Sequence, residues 1–439
     1  MSEWKKFHLT ELFDVQIGGT PSRGVSQYWA NTHDHDSIPW VSIADMSNTK
    51  TIYTTKERIS PQGYSNSNAK LVPIGTLLFS FKLTIGKLAF AGVELTTNEA
   101  IASLFTKTNQ VDTRFIYYVL PSIFDKIVYD TAVKGKTLNK KKIAEIEIFA
   151  PVSKNEQTII ANILESVDKV IEYTEAAIEK YKAIKTGMIQ DLFTRGIDVN
   201  TGKLRPSYKE TPELYKQTEM GWIPKKWEVV TIGDFAKIKG GKRMPAGTEF
   251  SDLETPYPYL RVTDMQDGTI NQSDIKYVPM DIEPIIRSYK ISCDDIYVTI
   301  AGTLGLFGTI PDNLDEAQLT ENAARITEYD ETQYTRDFIK HQCNSRIIQN
   351  QVNREIGVGG GVPKLALYRI ARFKFFKPSI TEQSVICERM NTISDIIEKE
   401  QNILAKTQSL KQGLMSDLLT GKVRVNYNDS IEVKNGTED

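Results

Sequence analysis

Apolar residues along this chain follow two different periods. Between residues 156 and 194 they fall at Ile160, Leu164, Val167, Ile171, Ile178, Tyr181, Met188 and Leu192; between 382 and 420 they fall at Ile386, Met390, Ile393, Ile397, Leu404, Leu414 and Leu418. Steps of three and four put each set on one stripe of a helix. Thr174 and Glu400 interrupt the two stripes at matching positions. Neither segment contains proline, while Pro151 and Pro378 stand just before them, where a helix has yet to start. Gly187 and Gly413 are weak points, each costing ~1 kcal/mol relative to alanine. A helix of about 38 residues extends about 57 Å, more than one small domain can cover. The spacing therefore predicts that the two helices pair as a coiled coil, antiparallel if the halves are related by a pseudo-twofold. Ile160, Leu164, Val167, Ile171, Ile178, Ile386, Met390, Ile393, Ile397 and Leu404 are the expected contacts. A stripe that long would otherwise need an outside partner.

Elsewhere the pattern is short and alternating. Phe79 and Phe81, and Ile296, Val298 and Ile300, lie in runs punctuated by Gly and Pro, and these runs read as strands. Residues 114–128 and 336–352 have helical spacing, the first expected to kink or divide at Pro121. Together these features predict an α+β fold.

The chain also says its first half twice. Trp4 begins WKKFHLTELFDVQIGGTP and Trp227 begins WEVVTIGDFAKIKGGKRMP, each running to a glycine pair, Gly18-Gly19 and Gly240-Gly241. Ile38-Pro39-Trp40-Val41 with Asp45-Met46 returns as Tyr257-Pro258-Tyr259-Leu260 with Asp264-Met265. Thr84-Ile85-Gly86 returns as Thr303-Leu304-Gly305, and Thr113-Arg114 as Thr335-Arg336. IAEIEIFAPVSKNEQ (143–157) returns as IARFKFFKPSITEQ (370–383). Matches in one order at offsets near 219–227 mark a duplication. The expected organisation is a globular domain at 1–154, a long helix at 155–195, a connector at 196–226, a second globular domain at 227–379, a second long helix at 380–421 and a polar tail at 422–439.

Composition narrows the function. Fifty-four Lys and Arg against 56 Asp and Glu give a net charge of -2 over 439 residues, which excludes a histone-like basic binder and an acidic disordered chain. Local basic surfaces stay open, because net charge does not say where charge sits. Cys293, Cys343 and Cys387 are far apart and form no CxxC pair, which suits a reducing cytoplasm better than a disulfide framework. No run of ~18 apolar residues is present to span a membrane, and MSEWKKFHLTELF does not read as a signal peptide.

Catalytic signatures are missing. GKT at 135–137 lacks the first glycine of a phosphate-binding loop, since Asp130 holds that place. The glycine cluster at 357–361 leads into Val362-Pro363, which cannot open a dinucleotide-binding helix. There is no NPPY- or DPPY-type motif for amino methylation, and His33-Asp34-His35-Asp36 reads as a solvated loop rather than a metal site. His8, His33, His35 and His341 have no counterparts in the opposite copy, so no acid–base constellation is duplicated. No catalytic, metal or cofactor-binding residue is therefore assigned.

Polar loops do recur at matching places. One follows the glycine pair: Thr20, Ser22 and Arg23, facing Lys242 and Arg243. Another is hairpin-like: Ser80, Lys82, Thr84 and Lys87, facing Thr299 and Thr303. The third is Lys134, Lys136, Thr137, Asn139 and Lys140, facing Gly360 and Lys364. Lysines beside glycine and hydroxyl groups can contact phosphates, and Arg23, Arg243 and Arg261 could read guanine edges bidentately. These residues are the candidate DNA contacts. One scaffold carrying two loop chemistries is what two distinct specificities need.

The Trp-to-GG start of each half, the Glu-Gln-x-x-Ile opening of each long helix, the helix endings GMIQDLFTRG and GLMSDLLTGKVRV and the connector ending GWIPKKW together resemble the specificity (S) subunit of Type I restriction–modification enzymes. The likeness covers nearly the whole chain, and its order and duplication are specific. The resemblance implies two pseudo-twofold-related α/β target recognition domains joined by two long antiparallel coiled-coil helices. Each domain would read one half of a bipartite double-stranded DNA target, and the helix pair would set the spacer. Two modification (methyltransferase) subunits would flank the pair, with restriction (helicase–nuclease) subunits outside them. This chain would be non-catalytic and cytoplasmic, with S-adenosylmethionine, ATP and Mg belonging to its partners. Half-sites read from one side of a duplex lie ~34–36 Å or a multiple apart, a separation that a coil of about 57 Å can set. A coiled-coil scaffold with two protein- or glycan-binding domains also fits the helices, but fits the recurring basic loops less well.

Overall fold

The computed structural model describes residues 3–31, 34–46, 49–126, 130–132, 135–356 and 363–425. The chain forms two units, Met1–Glu175 with Ile403–Asp439, and Ala176–Asn402. Each holds one globular domain, the start of one long helix and the end of the other.

In the first unit the opening strand Trp4–His8 pairs antiparallel with Glu147–Pro151, the last strand before the long helix. A five-stranded sheet follows the order Phe13–Ile17, Ile101–Thr106, Leu77–Ser80, Leu88–Ala91, Thr51–Ile52. A second five-stranded sheet has Ile38–Val41 and Leu95–Thr97 side by side in parallel. Side chains on a strand alternate between faces, and here both faces of the first sheet are covered. Leu77, Phe79, Ala102 and Leu104 face a core with Phe13, Phe115 and Ile148. Leu78, Ala89, Ala91 and Ile101 face a second core with Val41 and Leu95. That double burial explains the nearly unbroken apolar run at 77–81. Helix α1 (Thr113–Phe124) is capped by Asp112, which accepts from the Arg114 N–H at 2.9 Å. Contrary to expectation, Pro121 does not divide it. The proline sits in the last turn, and the Asp125 N–H returns to the Pro121 carbonyl at 3.1 Å. A short helix, α2 (Lys140–Ala144), and the long helix α3 (Lys154–Thr194) follow.

The second unit repeats this plan. Glu228–Thr231 pairs with Lys374–Lys377. A four-stranded sheet runs Lys237–Gly240, Ala323–Thr327, Ile296–Thr299, Phe307–Gly308, with a second four-stranded sheet beside it. Ile296, Val298, Ala324 and Ile326 face one core, Tyr297 and Ala323 the other. The helix expected over 336–352 is instead two, α4 (Arg336–Cys343) and α5 (Arg346–Ile356). Asn344 donates to the Phe307 carbonyl at 3.1 Å and Ser345 to the Gln342 carbonyl at 2.6 Å, so polar side chains compete with the helical ladder there. The short helix α6 (Leu367–Ala371) and the long helix α7 (Ile380–Leu418) complete the unit.

The Glu-Gln pair at the start of each long helix has the same duty in both units. Gln157 accepts from the Asp112 N–H at 2.8 Å and donates to the Pro151 carbonyl at 2.9 Å. Gln383 accepts from the Thr335 N–H at 3.0 Å and donates to the Pro378 carbonyl at 3.1 Å. Each glutamine thus ties the long helix to the preceding strand and to the start of the domain's own helix. Buried Glu156 accepts from Trp4 Nε1 at 3.1 Å and from Arg424 at 2.8 and 3.0 Å. Buried Glu382 accepts from Trp227 Nε1 at 3.1 Å and from Arg205 at 3.0 Å. Arg424 follows the end of α7 and Arg205 follows the end of α3, so in each unit the start of one long helix is locked to the chain leaving the other.

Apolar packing agrees. Ile160 and Leu164 share a core with Leu418 and Leu419, and Ile386 and Met390 share one with Leu192 and Phe193. Start meets end in both, as antiparallel helices require. The outer positions of each stripe therefore lie in a domain core. Farther along, Ile178, Ile393 and Ile397 are buried, while Val167, Ile171 and Leu404 are partly exposed. Thr174 is buried too, with its hydroxyl donating to the Val170 carbonyl at 2.7 Å. The 196–226 connector holds two hairpins, Ile197–Asp198 with Lys203–Leu204 and Tyr215–Thr218 with Gly221–Pro224. No helix among the described residues is long and apolar enough to cross a membrane.

Candidate nucleic-acid interface

The polar loops grow out of shared backbone clamps. Gly18 N–H donates to the Ile101 carbonyl at 3.2 Å, and Gly241 N–H to the Ala323 carbonyl at 3.0 Å. The next residues, Gly19 and Lys242, donate to Thr97 and Leu319 at 2.8 and 2.7 Å. Gly18 therefore corresponds to Gly241, one residue away from the register that matches the two glycine pairs by eye. A Cβ on either glycine would lie 2.1 Å from a carbonyl oxygen, that of Thr97 or of Thr320, so only glycine fits. An aromatic donor then holds the following carbonyl: Trp40 Nε1 to Gly19 at 2.9 Å, and the Tyr259 hydroxyl to Lys242 at 2.8 Å.

Beyond the clamp the chemistry diverges. Thr20 and Arg243 occupy equivalent places, and each donates to an equivalent carboxylate: Thr20 to Glu99, and Arg243 Nε to Glu321 at 2.6 Å. Partial burial opposes ionisation of Glu99. The Thr20 hydroxyl, its own N–H and the fields of Lys82 and Arg23 nevertheless bring its carboxyl below the usual range. Burial likewise opposes ionisation of Glu321, and Arg243, the Glu321 N–H and the Thr320 hydroxyl together bring its carboxyl below the usual range. Arg23 lies over the Trp29 ring at 3.8 Å and is gripped through two nitrogens by Glu57, which raises its pKa. Ser42 and Arg261 are also equivalent, each donating its N–H to an aspartate, Asp45 or Asp264, at 2.8 Å. Arg261 adds side-chain bonds to Asp264 at 2.6 Å and to Asp274 at 3.2 Å.

The hairpin-like loop is a duplicated turn. Gly86 N–H reaches the Ser80 carbonyl and Gly305 N–H the Thr299 carbonyl, both at 2.9 Å. Ser80 and Thr299 are fully buried; their hydroxyls accept from the Lys87 and Leu306 N–H groups at 3.0 and 2.9 Å. As candidate DNA contacts these two are corrected: they hold the turn and present no surface. Thr84 and Thr303 at the tips are exposed, and Lys82 lies over the Phe81 ring. Lys87 donates to the Ile43 carbonyl at 3.3 Å.

In the third loop Lys134 and Gly360 fall outside the described residues. Lys136 and Thr137 belong to the strand Gly135–Thr137. Asn139 caps α2 by accepting from the Lys142 N–H at 2.9 Å, and Lys140 is exposed on its first turn. Leu138 and Leu365 donate to the equivalent carbonyls of Phe81 and Ile300, both at 2.9 Å, so Lys364 corresponds to Thr137. Ser22 is exposed, with its carbonyl accepting from Trp29 Nε1 at 3.2 Å; Lys242 lies over the Tyr289 ring.

Sequence reasoning missed Glu57, Glu99 and Glu321. It sought cations for phosphate and passed over the carboxylates that orient them. The signal was available: Glu99 and Glu321 share the offset of 222 that relates Gly18-Gly19 to Gly240-Gly241.

Comparison with known proteins bears on the whole chain. A family model described as the Type I restriction modification DNA specificity domain matches residues 1–182 and 224–408. The MjaIX specificity subunit of Methanocaldococcus jannaschii is 26% identical over 280 residues, spanning 62% of this chain and 60% of that subunit. The MjaVIII specificity subunit of the same organism is 25% identical over 342 residues, 76% of each chain. The EcoBI specificity subunit of Escherichia coli is 23% identical over 407 residues, 89% of this chain and 81% of that one. The crystal structure of a Type I restriction–modification S subunit from M. genitalium superposes with a TM-score of 0.58 at 14% identity, covering 97% of both chains. A chain from a structural study of type I R-M complex assembly gives 0.55 at 12% identity, covering 96% and 98%. At these identities the structural likeness speaks for the fold.

Proposed function

The chain belongs to the Type I restriction modification DNA specificity family and is a DNA specificity subunit, and from that premise we propose that each globular domain reads one half of a bipartite double-stranded target. One observation carries this reading. The two domains share the clamps on the glycine loop but present different groups from it: Thr20 on Glu99 in one, Arg243 on Glu321 in the other. A guanidinium suits a guanine edge, while a carboxylate suits a cytosine amino group. Like scaffolds with unlike tips give two half-sites of different sequence.

The long helix pair sets the spacer and docks two methyltransferase subunits, with restriction subunits joining that assembly. This chain contributes recognition and no chemistry. S-adenosylmethionine, ATP and Mg serve the partners, and the complex works in the cytoplasm, where its DNA lies. Near-neutral net charge fits a subunit whose partners supply much of the positive surface around DNA.

The test is to assemble the chain with modification (methyltransferase) subunits of a Type I system from the same organism and map methylation on a random duplex library. A motif with two fixed halves and an unspecified spacer is expected. Methylation without sequence preference would sink the reading.

A further inference from the structure

A concave pocket of about 360 Å³ opens between the end of α5 and helix α6, lined by Arg354, Glu355, Tyr368, Arg369, Arg372 and Phe373 among others. Three arginines line it with a single carboxylate, Glu355, which bonds Arg369 at 2.8 Å. The Glu355 carbonyl at 3.2 Å and the Tyr368 hydroxyl at 3.1 Å also hold Arg369. Arg354 and Arg372 are exposed and make no side-chain hydrogen bond or ion pair among the described residues. Arg354 lies in the last turn of α5, where a cation complements the helix dipole. That does not account for Arg372, which sits just past the end of α6.

The pocket adjoins the recognition loops. Leu365, two residues before α6, donates to the Ile300 carbonyl in the turn that carries Thr303, and a Cβ placed on Gly240 would lie 3.6 Å from Leu367 on α6. The first domain has a basic version of the same element. Leu138 makes the equivalent bond to Phe81, which aligns α2 with α6 and puts Lys142 where Arg369 stands, with Lys140 and Lys141 before it. A cation at one equivalent place on this helix in both domains, Arg369 and Lys142, beside loops whose chemistry otherwise differs, points to a ligand feature common to both half-sites, while Arg372 answers to Glu145 and is particular to the second domain. The feature every DNA sequence shares is its phosphate backbone.

We infer that Arg354, Arg369 and Arg372 form a docking point for a DNA backbone phosphate beside the base-reading loops. It rests on the reading of the chain as a DNA specificity subunit. Guanidinium forks match phosphate oxygens bidentately. Such contacts fix the position of the protein on the duplex and carry no sequence information.

The experiment uses the complex assembled with its methyltransferase subunits and a duplex of arbitrary sequence, with affinity measured against salt. Changing Arg354→Ala and Arg372→Ala together removes the two cations of this site that no carboxylate engages. The slope of log K against log salt is then expected to shrink by about 0.9, the share of one neutralised phosphate. The methylated motif should be unchanged, and the Arg354→Lys/Arg372→Lys pair should keep the slope. A slope equal to wild type in the alanine pair would overturn the inference. Loss of methyltransferase assembly with an unchanged slope would overturn it too, by giving the pocket to a protein partner. Loss of slope in the lysine pair as complete as in the alanine pair would show that charge is not what counts. If the wild-type complex shows no sequence preference in methylation, the underlying reading fails first, and that failure is visible before any arginine is changed.

Discussion

His341 stands on α4 with its ring almost wholly buried and Nε2 2.9 Å from the Asn391 side chain. Burial, above all, pulls its pKa down to about 4. In the unfolded chain a histidine titrates near ~6.5. Its folded pKa is therefore depressed. The stability it allows is complete above the unfolded value and is lost as pH falls from ~6.5 towards the folded value, by up to about 3 kcal/mol. His341→Gln, which can keep a bond to Asn391, should flatten the acid limb of stability between those pH values. Urea melts at pH 7 and pH 4.5 would check it: equal losses in wild type and variant would contradict the assignment. The sequence showed only a lone histidine with no counterpart in the first copy. Its burial comes from α7, about 50 residues further along the chain, and no local pattern announces that. Glu99 and Glu321 were hidden for the same reason, because a glutamate at a strand end looks like an ordinary solvated charge until the glycine loop folds against it.

At the scale of elements the long helices were the most legible feature. Their apolar stripes are local and persist over many turns. Less legible was how the stripes are shared. Ile160, Leu164, Ile386 and Met390 pack inside globular cores together with the ends of the opposite helices, so the stripe serves domain closure as well as helix pairing. Gly187 and Gly413 lie within these helices, and a Cβ at either would meet nothing within 4 Å. Gly187→Ala and Gly413→Ala should each stabilise the chain by roughly 0.5–1 kcal/mol, through helix propensity and a less flexible unfolded state. A raised denaturation midpoint would bear this out; a lowered one would mean the glycines are needed for a bend or a partner. The division of 336–352 into α4 and α5 was not legible, because Asn344 at the break donates to the Phe307 carbonyl, an acceptor 37 residues away that only the folded domain brings near.

Across the whole molecule, duplication makes the two specificities separable. Arg243 belongs to the second domain and Thr20 to the first, each with its own carboxylate. Arg243→Ala should relax the target at one or two positions of a single half-site, at a cost of about 1–3 kcal/mol per base contact, while the other half-site is unchanged. Methylation mapping of the variant complex would show it; blurring of both halves would mean that Arg243 supports the fold rather than reads DNA. The repeat itself could be read from sequence. Its loop register could not, since Gly18 answers to Gly241 and not to Gly240.

The sequence by itself determined the duplication, the two long helices, the strand-rich domains between them and the absence of known catalytic motifs. These rest on local periodicity and on the order of motifs, which survive without knowledge of what folds against what. Only the tertiary structure decided which polar residues face outward and which are spent inside. Thr20 meets Glu99 across 79 residues of chain and Arg243 meets Glu321 across 78. Ser80 and Thr299 turn inward because their hydroxyls close a turn. A polar side chain finds its partner through long-range hydrogen bonding and burial, and neither leaves a period in the sequence.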